Sequence, residues 1–230
     1  MQIGGLQKQT LIDYPGHLAP IIFTNGCNFR CPYCYNKSLV KGTANLMPVE
    51  KVFTFLKERQ NLLDGVVVTG GEPTLQEDLL DFLKKIKDLG YDIKLDTNGS
   101  NPEKLAAAID QNLVDYIAMD IKGPIEKYDK IAGVKINKDK IKKSVELIKK
   151  FPHHEFRTTV APSFLKKEDF QKIADWLKGA QKYYLQQLEI KETMIDSRFQ
   201  EETPYSSQKL KSFVKLIEDN FEECAVRGIE

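Results

Sequence analysis

The chain has 230 residues, of which 34 are Lys or Arg and 33 are Asp or Glu, for a formal net charge of +1. Hydrophobic residues make up 41% and charged residues 29%, a globular composition with enough material for one sizeable core. The near-zero charge gives no electrostatic reason for a nucleic-acid or membrane partner. Apolar runs such as Gly65 to Val68 are far too short to span a bilayer, and Met1-Gln2-Ile3-Gly4-Gly5 lacks the pattern of a signal peptide, so a cytoplasmic location is expected.

In chain order, Leu18 to Thr24 reads as a strand, and Val49, Val52, Phe53 and Leu56 fall at helical spacing behind Pro48. Val66 to Thr69 is a short buried strand. Leu75, Leu79, Phe82, Leu83 and Ile86 form a helical stripe closed by Gly90. Tyr91 to Asp96 is a third strand, and Asn101-Pro102-Glu103 opens a helix with a cap, a proline and a first-turn acid. Asp115 to Asp120 is a fourth strand, Ile141, Val145 and Ile148 mark a helix, and Phe156 to Val160 is a fifth strand. Asp169 to Leu177 is helical, Tyr184 to Ile190 is a sixth strand, and Ser207 to Ile217 is a last helix. The lysines between Lys138 and Lys150 read as a solvated helix face.

Strands alternating with helices predict an α/β fold with parallel strands and right-handed crossovers. About six units predict a partial (βα)6 barrel, since a closed eight-unit barrel typically needs ~250 residues. A single domain over 1–230 is expected, with an N-terminal extension 1–17, a core of about 18–190 and a C-terminal segment 191–230. Functional residues of parallel sheets gather at the C-terminal strand ends. That rule selects Cys27 after the first strand, Gly70-Gly71-Glu72 after the second, Asp96-Thr97-Asn98-Gly99 after the third and Asp120-Ile121-Lys122 after the fourth. All four are expected at one mouth.

Three of the four cysteines, Cys27, Cys31 and Cys34, fall within eight residues. In a reducing compartment such spacing points to metal binding or catalysis rather than disulfides, whereas Cys224 reads as a small buried hydrophobe. Positions 27, 31 and 34 also fit one face of a helix, but Gly26, Asn28 and Pro32 favour a loop that wraps three thiolates around one centre. Structural zinc is the chemical rival. It wants four ligands, usually from paired cysteine motifs, and His17, His153 and His154 lie outside the segment. Three thiolates suit a 4Fe–4S cluster with one iron left open, because such clusters are normally held by four.

The spacing C-x3-C-x2-C, with Tyr33 just before the last cysteine, resembles the radical S-adenosylmethionine (SAM) enzymes. The resemblance implies that the open iron is chelated by SAM and that reductive cleavage yields a 5′-deoxyadenosyl radical. Gly70-Gly71-Glu72-Pro73 would alone be an ordinary tight turn. Within the resemblance it is similar to the motif that holds the SAM amino group. Asp96-Thr97-Asn98-Gly99 is similar to a loop approaching the ribose and methionyl end of SAM, and Asp120-Ile121-Lys122 to an acid-bearing motif beside it. Together they imply a monovalent cation held by Asp96, Thr97 and Asp120. Tyr33 and Tyr35 are implied as cofactor-binding, with Tyr35, whose position lies near adenine in relatives, standing where related activases often carry histidine. Lys122 and Arg157 either pair with Asp96 or Asp120, or hold the SAM carboxylate or the substrate backbone.

Leu11-Ile12-Asp13-Tyr14-Pro15-Gly16, followed by Phe23 to Cys34, resembles the branch that activates anaerobic ribonucleoside-triphosphate reductase. The likeness runs from about Ile3 through Arg157 and returns at Val226-Arg227-Gly228, while 191–205 does not align. It implies a glycyl-radical partner protein, a flavodoxin- or ferredoxin-type electron donor, and Asp13 at the mouth of the site unless it simply caps its turn. Activation of another glycyl-radical enzyme, such as pyruvate formate-lyase, and small-molecule radical chemistry are the alternatives.

Overall fold

The computed structural model describes residues 1–229. The chain packs as two compact units, Met1–Asn28 with Ser38–Ile117, and Phe29–Lys37 with the chain from Ala118 onward.

The first unit opens with β1 (Ile3–Thr10) and β2 (Ala19–Thr24), and α1 (Lys37–Lys41) begins at its boundary. There follow α2 (Val49–Glu58), β3 (Gly65–Gly70), α3 (Leu79–Lys87), β4 (Asp92–Thr97) and α4 (Pro102–Asp110). β1 runs antiparallel to β2, whereas β2, β3 and β4 pair in parallel. Val66, Val67 and Val68 of β3 have no exposed surface, as expected of a strand covered on both faces. Leu79, Phe82, Leu83 and Ile86 bury one stripe of α3. The Asn101 side chain caps α4 by accepting from the Lys104 N–H at 3.3 Å.

β5 (Tyr116–Asp120) carries the chain into the second unit. That unit adds α5 (Tyr128–Ala132), α6 (Lys138–Lys149), β6 (His154–Val160), α7 (Lys167–Leu177), β7 (Lys182–Gln187), α8 (Ser207–Ile217) and β8 (Glu223–Arg227). β6, β7 and β8 are parallel. Ile141, Val145 and Ile148 bury one side of α6 while Lys142 and Lys143 lie exposed. Phe170 of α7 stacks on Phe213 of α8 at 4.7 Å between ring centroids.

Strand order is chain order, and helices bridge the parallel strands. The fold is therefore α/β with a parallel-strand sheet, consistent with a partial barrel. The six strands expected from sequence correspond to β2 through β7. β1 and β8 carried no strand signal: β1 has two glycines and a polar end, and β8 is short, with charged residues at both ends. Leu75 departs from the expected helical stripe. It lies in a 3-10 turn, Pro73–Leu75, and is 41% exposed, because Pro73 starts a separate turn before α3. Among the described residues, no helix is long and apolar enough to cross a membrane.

Candidate functional site

In the first unit, the loops leaving β2, β3 and β4 meet at the C-terminal strand ends. The Gly26 N–H donates to Leu39 O at 2.7 Å and the Cys27 N–H to Val40 O at 3.3 Å, fixing the first cysteine against α1. The Gly71 N–H donates to Thr24 O and the Glu72 N–H to Gly26 O, both at 2.9 Å. A Cβ on Gly71 would lie 2.1 Å from Gly26 O, and one on Gly70, whose φ is +115°, would lie 2.3 Å from Thr24 N. Backbone crowding thus demands the two glycines.

Glu72 is buried, and its carboxylate ties two loops together. Oε1 accepts from Thr74 N (3.1 Å), Thr74 Oγ1 (2.6 Å) and Thr97 Oγ1 (2.8 Å), and Oε2 accepts from Asn98 N (2.6 Å). Burial raises its pKa above the ordinary glutamate range, against the opposing pull of the donors on Thr74, Asn98 and Thr97. The side chain therefore faces its own protein. Asp96 lies 2.7 Å from the Nζ of Lys94, whose side chain is 1% exposed. Sequence reading passed over Lys94, although a lysine inside a buried strand was itself a signal that an acid lay beside it.

Asp13 is not at this mouth. It sits in the β1–β2 connection, before the N-terminal end of β2, whereas Cys27 follows the C-terminal end. The six residues of β2 separate the two ends by about 20 Å at roughly 3.3 Å per residue. Asp13 accepts from Thr10 Oγ1 at 2.5 Å and closes its turn.

In the second unit, the cysteine loop is held by distant backbone. The Arg30 N–H donates to Ala132 O at 2.7 Å, and a Cβ on Gly133 would lie 2.2 Å from Arg30 O. The Cys34 N–H donates to Cys31 O at 3.0 Å, closing a turn. The Ile195 N–H then donates to Cys34 O at 2.9 Å and the Asp196 N–H to Pro32 O at 3.0 Å. The unaligned segment 191–205 thus braces this loop from outside. Tyr33 is buried edge-on to Phe164 and Phe199, and its hydroxyl has no hydrogen-bond partner among the described residues. Lys191 Nζ stands 4.2 Å from the ring centroid of Tyr35. Burial raises the Cys34 thiol pKa, against the Asn36 N–H and Lys122.

Asp120, Lys122 and Arg157 also come together. Lys122 Nζ lies 3.2 Å from Asp120 Oδ2, and Arg157 Nε donates to Asp120 Oδ1 at 3.1 Å. Burial alone would raise the Asp120 pKa, but the two cations override it and hold it at about 2, even with 35% of the side chain exposed. The Lys122 pKa is conversely driven well up, because Asp120 outweighs burial. The chain of charge continues past Arg157. Arg157 Nη1 is 3.7 Å from Glu155 Oε1, and Glu155, wholly buried, receives two 2.9 Å bonds from Arg227. The Arg227 guanidinium lies 3.4 Å from the Tyr184 ring centroid. Glu155 and Arg227 were not selected from sequence. An acid at a buried strand position was the signal for the first, and the second became visible only with β8 in place. Cys224 is partly buried, and burial pushes its thiol pKa up to about 12.

The donor chemistry fits an iron–sulfur cluster with one open iron. Three cysteines lie within eight residues, and none is in a disulfide among the described residues. Tyr33 adds a buried hydroxyl without a partner on the same loop. Among the described residues, no three His, Cys, Asp or Glu side chains gather around a point where a single metal ion would sit.

Fold and site define an α/β protein that carries a three-cysteine loop and a glycine-rich loop after its strands. A model of the radical SAM superfamily matches residues 21–177, and the chain belongs to that superfamily. Membership implies one 4Fe–4S cluster and SAM, and makes the protein a radical SAM enzyme. A relative from Methanocaldococcus jannaschii is 32% identical over 99% of this chain and 96% of its own, and carries the provisional name glycyl-radical enzyme activating enzyme. A second from that organism, with the same provisional name, is 31% identical over 68% of this chain and 61% of its own. The crystal structure of Streptococcus suis SuiB bound to SAM matches 90% of this chain at a TM-score of 0.67 and 14% identity. This chain spans about half of SuiB, covering 52% of it, and the likeness is one of fold.

Proposed function

We propose that this protein generates a glycyl radical on a partner protein, and that the partner is an anaerobic ribonucleoside-triphosphate reductase. The observation that carries the reading is the end-to-end match to the Methanocaldococcus jannaschii relative, 99% of one chain on 96% of the other. The run from Leu11 to Cys34 supports the choice of reductase. A cytoplasmic setting and a flavodoxin- or ferredoxin-type donor belong to the same reading.

In this reading Cys27, Cys31 and Cys34 hold the cluster and leave one iron for SAM. When bound and reduced, the cluster supplies the electron that cleaves SAM to methionine and a 5′-deoxyadenosyl radical. Gly70 and Gly71 let the loop after β3 close against the backbone of Thr24 and Gly26, and that loop presents its polar groups to the SAM amino group. Glu72 contributes by position, holding Thr97 and Asn98 in place. Tyr33 and Tyr35 belong to the cofactor site, Tyr35 on the adenine side. Lys122 and Arg157 fix the Asp120 carboxylate and keep it ionised. A monovalent cation at Asp96, Thr97 and Asp120 would compete with Lys94 and Lys122 for those carboxylates. Asp13 has no part in the chemistry.

The test is an anaerobic incubation of reconstituted, reduced protein with SAM and the purified reductase. An electron paramagnetic resonance doublet from a backbone glycine of the partner, with 5′-deoxyadenosine formed in step, is expected. Cys31→Ala should give neither, while Cys224→Ala should give both. A doublet on pyruvate formate-lyase but not on the reductase would reassign the partner. SAM cleavage with a small molecule, and no radical on either protein, would remove the activase reading.

A further inference from the structure

Asn98 has a bond that a SAM-facing loop residue does not require. Its Nδ2 lies 3.8 Å from Cys27 Sγ, within hydrogen-bond reach of sulfur, and 2.9 Å from Asn28 Oδ1. The direction of the amide follows from its other end. Oδ1 accepts the Ser100 N–H at 2.9 Å, and a backbone N–H can only donate, so the oxygen must face Ser100 and the NH2 group must face Cys27. The backbone of Asn98 is pinned as well, its N–H held by Glu72 Oε2 at 2.6 Å. The residue is 5% exposed, so solvent competes little for these bonds. All the partners named here lie in the first unit.

We propose that Asn98 is a positioning residue that donates a hydrogen bond to the Cys27 sulfur and thereby raises the reduction potential of the cluster. The inference rests on the reading that Cys27 is a cluster ligand. As a thiol, Cys27 is a weak acceptor. As a ligating thiolate it carries charge, and the N–H···S bond becomes charge-assisted. Reduction adds one electron to the cluster and so adds negative charge to its sulfurs. A donor fixed on one of them favours the reduced form, and hydrogen bonds to sulfur are among the factors that set cluster potentials. Glu72 is the base of this device. By holding the Asn98 backbone it couples the glycine-rich loop after β3 to the first cysteine, so the loop assigned to SAM and the sulfur assigned to iron share one hydrogen-bonded support.

The experiment is a potentiometric titration of reconstituted holoenzyme without SAM, followed by the signal of the reduced cluster, on wild type, Ser100→Ala, Asn98→Ala and Asn98→Asp. The Ser100 hydroxyl has no hydrogen-bond partner among the described residues and its N–H survives substitution, so Ser100→Ala should titrate with wild type. Asn98→Ala removes the donor and should titrate at a lower potential. Asn98→Asp keeps the acceptor for Ser100, lacks the donor and adds charge, and should titrate lowest. Iron content should match in all four. Equal midpoints for wild type and Asn98→Ala, with clusters intact, would overturn the inference while leaving the cysteine assignment standing. Loss of iron from both Asn98 variants but not from Ser100→Ala would also overturn it, making Asn98 a builder of the loop. Wild type that takes up no cluster would instead remove the cysteine assignment, and the inference with it.

Discussion

The two units secure their site residues by different chemistry. In the first, one buried carboxylate, Glu72, gathers neutral donors from Thr74, Thr97 and Asn98. In the second, a string of full charges runs from Lys122 through Asp120, Arg157 and Glu155 to Arg227. The first arrangement fixes short loops at atomic separation, since hydroxyls and backbone N–H groups bond only in narrow geometry. The second reaches across β5, β6 and β8, because long side chains carry charge over distance. Its members depend on one another, and a buried ion left without its partner is strongly destabilising.

That dependence gives the largest expected effect. Arg227→Ala leaves the wholly buried Glu155 without its bidentate partner and should cost about 3 kcal/mol, read as a lower denaturant midpoint. Arg227→Lys should recover part of the loss, because one ammonium cannot reproduce the fork. An unchanged midpoint in Arg227→Ala would mean that Arg157 alone satisfies Glu155, and the string would reduce to separate pairs. Glu72→Gln should cost less, about 2 kcal/mol, because the amide keeps one acceptor oxygen and turns its NH2 group toward donors. A larger loss than that of Arg227→Ala would reverse the ranking of the two clamps.

The smallest effects are in pH dependence, where the units should differ in sign. The Asp120 pKa is lowered on folding, so its contribution is present above the unfolded value of about 3.9 and is lost as pH falls through about 2. The Glu72 pKa is raised on folding, so its contribution is present below the unfolded value of about 4.3 and is lost as pH rises through the folded value. Denaturant midpoints followed from about pH 2 to 7 should show a shallower acid limb in Asp120→Asn. The same series in Glu72→Gln should show a weaker decline with rising pH. The same slope change in both variants would erase the contrast.

Much of this was legible from residues alone, for identifiable reasons. The strands β2 to β7 were visible because short apolar or β-branched runs such as Val66 to Val68 alternate with helical patterns, and the helices because Asn101-Pro102 and the stripe of α3 follow local rules. The glycine pair and the cysteine spacing were visible because backbone crowding and ligand geometry restrict residue type. The bracing of the cysteine loop by Ile195 and Asp196 was hidden, since it uses backbone groups, which every sequence has. Lys94, Glu155 and Arg227 were hidden because a charge in a strand announces a partner without naming it. Asp13 was expected at the mouth from the resemblance, but β2 lies between its turn and Cys27, and the alternative role of closing its turn is the one its bond to Thr10 fits.

Strand order equal to chain order has a consequence for synthesis. Each strand lies beside the strand that precedes it in the chain, so the fold can grow by addition as the polypeptide emerges. The cysteine loop departs from that schedule. Gly26 and Cys27 are fixed by Leu39, Val40 and Asn98, all made early, whereas the run from Arg30 to Cys34 waits for Ala132 and then for Ile195 and Asp196. A ribosome must translate past residue 196 before the last of these bonds forms. The segment that carries Cys31 and Cys34 therefore gains its full set of backbone bonds only late in synthesis, after the segment around Cys27 has gained its own.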